Sequence, residues 1–132
     1  MNDLSTNEIV KLIYDEISAD KTNLKNAYQE TKDHIGYFYI DNILPEYIAK
    51  KCFDVFPKKS EMRVLKSIRE YKFVSAQMDK HNTFLEQIIY AFQDPRIVKL
   101  IGEICEIDNL FADEFLYAGG ISLMDEGNVL HP

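Results

Sequence analysis

Hydrophobic residues recur at helical spacing directly after the first few residues of the chain. From about Ser5 to Ser18 an isoleucine, valine or leucine returns every three or four positions, which predicts an amphipathic helix. Ser5 and Glu8 have the spacing of a capping box, in which the serine side chain and the glutamate side chain each bond the other's backbone amide. The polar residues 19–33 carry no such pattern, and we interpret them as an irregular connector.

A strand followed by a helix is predicted in residues 36–57. The run from Gly36 to Ile40 is aromatic and β-branched, which is typical of a strand. A helix then starts around Leu44-Pro45-Glu46, because proline is well tolerated at a first helical position, and Pro57 ends it. Residues 58–72 are mixed and basic with only a weak helical pattern. Residues 73–76 favour a short strand.

Two consecutive helices are predicted between His81 and Cys105. The first has Asn82 or Thr83 as its N-cap, and the second has Asp94 as N-cap with proline next to it. Apolar positions cover a wide face of the second helix, so we expect it to be largely buried.

The end of the chain changes to a β pattern. An apolar run, 115–124, is followed by the turn 125–128 and by a second run, Val129-Leu130, which together predict a β-hairpin with Gly127 in the turn. A strand of two or three residues leaves backbone groups of its neighbour unpaired. We therefore expect the natural chain to continue beyond Pro132.

These elements predict an α+β fold with helices packed on an antiparallel sheet. A length of 132 residues suits one domain with a core. We divide the chain into an N-terminal helix and polar connector, residues 1–34, and the N-terminal portion of a larger domain, residues 35–132.

Charge and composition exclude some classes of partner and favour one cellular compartment. The net charge of −7 argues against nucleic acid or an anionic membrane as the main partner, since both require a basic face. The N-terminus has no signal-peptide pattern, and no apolar run approaches the roughly 18 residues of a membrane span. We therefore expect a cytoplasmic protein, with Cys52 and Cys105 as buried, reduced thiols.

Residues that usually carry chemistry are sparse. No two of His34, His81 and His131 have the spacing of metal ligands, and the Asp79/His81 pair lies in a polar loop that we interpret as a solvated turn. Gly119-Gly120, within the predicted strand, is typical of a bulge or a close backbone approach rather than of a phosphate-binding loop. The sequence does not predict a self-contained active site in these residues.

The C-terminal GNVLHP, with Gly127, Leu130 and Pro132, resembles the entry to the catalytic barrel of the 2-oxoglutarate- and Fe(II)-dependent oxygenases, especially the prolyl-4-hydroxylase-like group. In that register the metal-binding His-x-Asp would begin directly after Pro132. The strand-helix unit YFYIDNILPEYIAKKCFDVF is similar to the unit that precedes the barrel in that family. The resemblance covers roughly residues 35–132.

The resemblance implies that the sheet is the start of a double-stranded β-helix, or jelly roll, left incomplete by these residues. It implies Fe(II) and 2-oxoglutarate as cofactors of the full-length protein and none for this chain alone, with a small-molecule or protein side-chain substrate. Met124 stands where many relatives carry a tyrosine that contacts 2-oxoglutarate, and Leu130 is the other cofactor-binding candidate. His131 is the one candidate metal ligand, although the family register makes it a variable residue two before the ligand histidine.

Two other functions are compatible with the sequence. The first is a non-catalytic, truncated relative that acts as an interaction or oligomerisation module through an open sheet edge. The second is a metal-free jelly-roll sugar binder with Tyr37, Tyr39, Phe115 and Tyr117 as its aromatic face, although alternation on half-buried strands explains these residues more simply.

Overall fold

The structure is a computed structural model that describes residues 4–132. In this part of the chain, helices and a small antiparallel sheet form the mixed α+β fold that the sequence predicts. The helices are α1 (Thr6–Ala19), α2 (Lys21–Ile35), α3 (Glu46–Asp54), α4 (Thr83–Phe92) and α5 (Pro95–Cys105). The strands are β1 (Arg63–Lys66), β2 (Glu70–Ser75), β3 (Ile121–Leu123) and β4 (Val129–Leu130), with short 3₁₀ helices at Lys59–Glu61 and Met78–Lys80.

The helix starts follow the predicted caps. The Glu8 amide donates to the Ser5 hydroxyl at 3.2 Å, and the Glu8 carboxylate accepts from the Ser5 amide at 2.7 Å. Asn82 and Asp94 each accept from the amide two residues further on, at 2.9 Å. These bonds satisfy first-turn amides that have no partner inside the helix. Four polar side chains thus fix where α1, α4 and α5 begin.

The interpretation of residues 19–33 as an irregular connector was wrong, because most of them belong to α2. Leu24 is the one fully buried side chain of this helix, so an apolar stripe is nearly absent. Its lysines instead pair with acidic residues of α5 and its C-terminus: Lys21 with Glu103, and Lys25 with Glu106 at 3.6 Å. The helix therefore lies beside α5, which is distant in the sequence.

Residues 36–40 are extended but pair with no strand among the described residues, so the predicted strand was wrong. The Tyr37 amide donates instead to the Thr31 hydroxyl at the end of α2, at 3.0 Å. The expected alternation is present: Phe38 and Ile40 pack against the core, whereas Tyr37 and Tyr39 are exposed.

The basic segment 58–72 forms β1 and the beginning of β2 rather than a helix. β1 and β2 are antiparallel, and Ser67 to Glu70 form the tip of the hairpin that joins them. The predicted strand at 73–76 corresponds to the second half of β2. Polar side chains hid the strand pattern, because only every second residue of this hairpin faces the helices.

Two apolar clusters form the core. The larger one joins α1, α4 and α5 and receives one side chain from α2 and one from α3; its members are Ile9, Val10, Ile13, Ile17, Leu24, Ile48, Phe84, Ile88, Ala91, Ile97, Leu100 and Ile104. The smaller one lies between the sheet and helices α3 and α4; its members are Met62, Met78, Leu85, Leu116 and Ile121. The sheet is thus attached to the helical layer through one face.

Candidate functional site

The C-terminal segment that carries the oxygenase-like pattern is not a hairpin. β3 pairs with residues 73–75 of β2, and β4 pairs with Glu70 and Tyr71, in the same antiparallel sense. Because β1 occupies the other side of β2, β3 and β4 lie on one side and run in one direction. They form a single strand interrupted by the loop 124–128.

The loop 124–128 is closed by its own hydrogen bonds. The Asn128 amide donates to the Asp125 carbonyl, and the Asp125 amide donates to the Asn128 side chain, both at 3.0 Å. Gly127 has φ +81°, a conformation that suits glycine. The turn chemistry was therefore predicted correctly, but the turn makes an excursion from a strand instead of reversing it.

Lys59 anchors this loop from outside. Its Nζ lies 2.7 Å from Asp125 Oδ2, and this hydrogen bond, together with the negative charge of Asp125, raises the pKa of Lys59. Beyond the loop, the His131 amide donates to the Arg69 carbonyl at 2.7 Å, so pairing continues past Leu130 to the tip of the β1–β2 hairpin.

The structure separates Met124 from Leu130 and His131, the other two residues to which the resemblance gives a role. Met124 follows β3 and is 47% exposed, whereas Leu130 and His131 lie after the loop. Leu130 is opposite Glu70 and 61% exposed. His131 is the next residue, so its side chain leaves the strand on the other face.

The two faces of the sheet differ in what covers them. The face with Phe73, Ile121 and Leu123 packs on α3 and α4. The opposite face, which we call the outer face, belongs to neither apolar cluster. From the strand register its members are Arg63, Leu65, Glu70, Lys72, Val74, Ser122 and Leu130.

The outer face carries one ion pair that is mostly shielded from solvent. Lys72 Nζ lies 2.8 Å from Glu70 Oε2, and the two side chains are 22% and 25% exposed. Since the charges neutralise each other, the centre of this face offers no free acid or base.

No group of three or more histidine, cysteine or acidic side chains in residues 4–132 is arranged to hold a metal ion. His131 therefore has no companion ligands in the described part of the chain. A facial triad needs two histidines and a carboxylate around one point. The described residues do not by themselves fit an iron site.

The interpretation of Asp79/His81 as a solvated turn was wrong for His81. This half-buried side chain has Nε2 2.7 Å from the Ser75 hydroxyl at the end of β2. A serine and an imidazole at this distance can form a nucleophile–base pair when a third group orients the ring. Within residues 4–132 nothing else hydrogen-bonds to the ring, and the pair fastens the start of α4 to the sheet.

A cleft of about 910 Å³ lies between α2, α5 and the segment 106–114. Two of its glutamates already have lysine partners: Glu103 pairs with Lys21, and Glu106 lies 3.6–3.7 Å from Lys25 and Lys32. The hydrogen bond and the charge of Lys21 lower the pKa of Glu103. The pKa of Glu106 is lowered by Gln29 first and then by the charges of Lys32 and Lys25. The cleft thus serves to attach α2 to α5.

The cysteines are free, and both are half-buried rather than buried as the sequence predicted. Burial raises the pKa of both the Cys52 and the Cys105 thiol. A raised pKa reduces the thiolate fraction at neutral pH, so neither side chain has the character of an activated nucleophile.

Comparison with known proteins gave no relative: no protein-family profile, curated protein or solved structure matches the chain. Within residues 4–132, none of the helices combines the length and apolarity needed to cross a membrane.

Proposed function

We propose that these 132 residues are the N-terminal part of a 2-oxoglutarate- and Fe(II)-dependent oxygenase that oxidises a C–H bond of its substrate. The observation that carries the proposal is the pairing of β4. Leu130, which follows the loop that contains Gly127, lies in the sheet alongside β2, and the pairing extends to His131. Residues after Pro132 that continued this direction would add to the same strand.

The one-sided cover of the sheet supports the same proposal. Helices α3 and α4 pack on one face, and the outer face belongs to neither apolar cluster. In a double-stranded β-helix the helices buttress the outside of a sheet whose other face lines the barrel. The outer face, with Leu130 among its members, would then face the barrel interior. The proposal also requires a bulge between Leu130 and the ligands, because regular alternation would put the first and third residues after Pro132 on the opposite face, with His131.

The extended segment 36–40 also supports an incomplete sheet. Its side chains alternate between packed and exposed as in a strand, yet within residues 4–132 it has no strand partner. Further strands of a barrel would offer it one.

The cofactors of the proposed enzyme are Fe(II) and 2-oxoglutarate, held mainly by residues after Pro132. Iron supplies O2 activation in such enzymes, and a histidine and a carboxylate at alternate positions of one strand point to the same face. Met124 and Leu130 would border the cofactor pocket, and His131 would precede the first ligand. The proposed compartment is the cytoplasm.

The coding sequence after Pro132 tests the proposal. We expect the next three codons to specify His-x-Asp, followed tens of residues later by a second histidine and a basic residue for the 2-oxoglutarate carboxylate. A stop codon at this point, or an open reading frame without these ligands, would remove the case for an active oxygenase.

The open edge formed by β3 and β4 favours a second candidate, a non-catalytic module that associates through the sheet. These strands pair only with β2 among the described residues, so their other side exposes unpaired backbone groups. Concentration-dependent self-association of the 132-residue protein in analytical ultracentrifugation, in a gene that ends at Pro132, would favour this candidate over the oxygenase.

A further inference from the structure

The segment from Lys58 to Lys72 has a charge opposite to that of the rest of the protein. It contains six of the 15 basic residues and only two of the 22 acidic ones, although the whole chain has a net charge of −7. This segment includes all of β1 and the turn into β2. The β1–β2 hairpin is therefore a basic projection on an acidic protein.

Several of these basic side chains are exposed, and one of them, Lys66, also has its Nζ 4.7 Å from the centroid of the Tyr71 ring. Lys59 and Lys72 are engaged with Asp125 and Glu70. Arg63, Lys66 and Arg69 are exposed and have no carboxylate partner within residues 4–132. Their positive charge is thus not neutralised by the described part of the chain.

β1 also forms a free edge of the sheet. The Ser67 amide donates to the Glu70 carbonyl at 2.7 Å, so hydrogen-bonded pairs continue at every second residue of β1, at Leu65 and Arg63. The N–H and C=O groups of Val64 and Lys66 consequently point away from β2. Among the described strands, none lies on that side.

Apolar side chains accompany the free edge. Val64 is 53% exposed beside it, and Ile68 at the hairpin tip is 97% exposed. Hairpin tips usually carry glycine, asparagine or aspartate, so a fully exposed isoleucine is unusual there. The hairpin combines unpaired backbone groups, free cations and apolar contacts in one place.

We propose that the β1 edge binds an extended acidic peptide segment of another protein by strand addition. Val64 and Lys66 would supply the backbone hydrogen bonds. Arg63 and Lys66 point to opposite faces of the sheet, so each would pair with an acidic side chain on its own face of the added strand, and Arg69 would pair with one at the hairpin tip. The proposal is independent of the oxygenase function, since it requires neither iron nor residues after Pro132.

Charge and geometry select this partner over others. A second copy of the same edge would bring Arg63 and Lys66 against like charges, which is destabilising. Nucleic acid or an anionic membrane would meet the acidic remainder of the protein and would leave the backbone groups of Val64 and Lys66 unused. An acidic strand satisfies both the charges and the backbone.

The test is binding of a short fluorescein-labelled peptide of glutamate, valine and threonine whose glutamates lie on both faces of the extended strand, measured by fluorescence anisotropy with the 132-residue protein. Two control peptides separate the contributions: one has lysine in place of glutamate, and the other is N-methylated at three consecutive central residues. We expect the lysine peptide not to bind and the N-methylated peptide to bind about tenfold more weakly, because methylation blocks both strand edges while leaving the charge unchanged.

Protein variants locate the site. The double variant Arg63→Glu/Lys66→Glu should weaken binding at least about tenfold. The matched control Lys11→Glu/Lys50→Glu makes the same change in net charge on α1 and α3 and should reduce binding much less. Val64→Pro removes an amide that faces the free edge and should lower affinity while circular dichroism shows the fold retained.

Three results would overturn the proposal. They are equal binding of the N-methylated peptide, equal loss of binding in the two double variants, and tighter binding of an oligothymidylate or of phosphatidylserine vesicles than of the acidic peptide. Should Val64→Pro fail to fold, the N-methylated peptide still decides whether the edge is used.

Discussion

Lys59 Nζ lies 2.7 Å from Asp125 Oδ2, and this ion pair joins the 3₁₀ helix before β1 to the loop between β3 and β4. Because both side chains are largely exposed, we expect Asp125→Asn to leave the thermal unfolding midpoint nearly unchanged. Local opening of the loop should become easier. Hydrogen exchange should therefore speed up at the amides of residues 125–128 and not at those of β2; unchanged loop exchange would show that Lys59 does not anchor it.

Gly120 and Gly127 form a matched pair for testing the C-terminal strand. Gly120 has φ +110°, and a Cβ there would lie 2.5 Å from the Ser75 carbonyl oxygen, whereas Gly127 has φ +81° and open space around it. We expect Gly120→Ala to reduce the free energy of unfolding by about 2–4 kcal/mol and Gly127→Ala by about 1 kcal/mol. Urea denaturation measures both, and equal costs would contradict the close packing of β3 on β2.

The larger core predicts the cost of removing its side chains. Ile104 is fully buried between α5 and the other helices, so Ile104→Ala should cost about 2–5 kcal/mol through lost burial and the cavity left behind. Ile68→Ala at the hairpin tip should change the free energy of unfolding by less than about 0.5 kcal/mol. Denaturant titrations of the two variants check this, and a small effect at Ile104 would place that residue outside the core.

Stability should decrease in acid. The hydrogen bonds of Arg96 hold the pKa of Asp94 below its ordinary value, as those of Ser5 do for Glu8. A carboxyl whose pKa is lower in the folded than in the unfolded protein stabilises the fold above its unfolded pKa, and the stabilisation is lost as pH falls through the folded pKa. The free energy of unfolding should therefore fall below about pH 5.

Asp94→Asn isolates one part of this dependence. Asparagine remains a good N-cap for α5, but it does not titrate. The variant should lose less stability than the original protein between neutral and acidic pH in urea denaturation series. An identical pH dependence of the two proteins would show that Asp94 does not contribute.

The sequence predicted the elements that are determined locally. The helix starts at Ser5, Asn82 and Asp94 were predictable because an N-cap side chain bonds an amide within the first turn of its own helix. α2 was not predicted, because it buries only Leu24 and its neighbour is α5, a helix distant in the sequence. Long-range partners of this kind leave no period in the local sequence.

The strand pairing at the candidate site likewise depends on long-range contacts that the local sequence does not reveal. The turn at Gly127 was recognisable from its residues, but the pairing of β4 with Glu70 and Tyr71 depends on a strand that sits in a basic, weakly patterned segment. The sequence therefore predicted a turn flanked by strands and paired those strands with each other. The free edge of β1 was equally hidden, since strand edges are defined only once the sheet is assembled.

The most direct test of the oxygenase proposal is succinate formation by the complete natural gene product. Purified protein is incubated anaerobically with Fe(II) and 2-oxoglutarate, O2 is then admitted, and succinate is quantified by mass spectrometry, with the 132-residue protein as the matched control. The proposal predicts Fe(II)-dependent succinate from the complete product and none from the 132 residues. A complete product that binds neither Fe(II) nor 2-oxoglutarate and forms no succinate would contradict it.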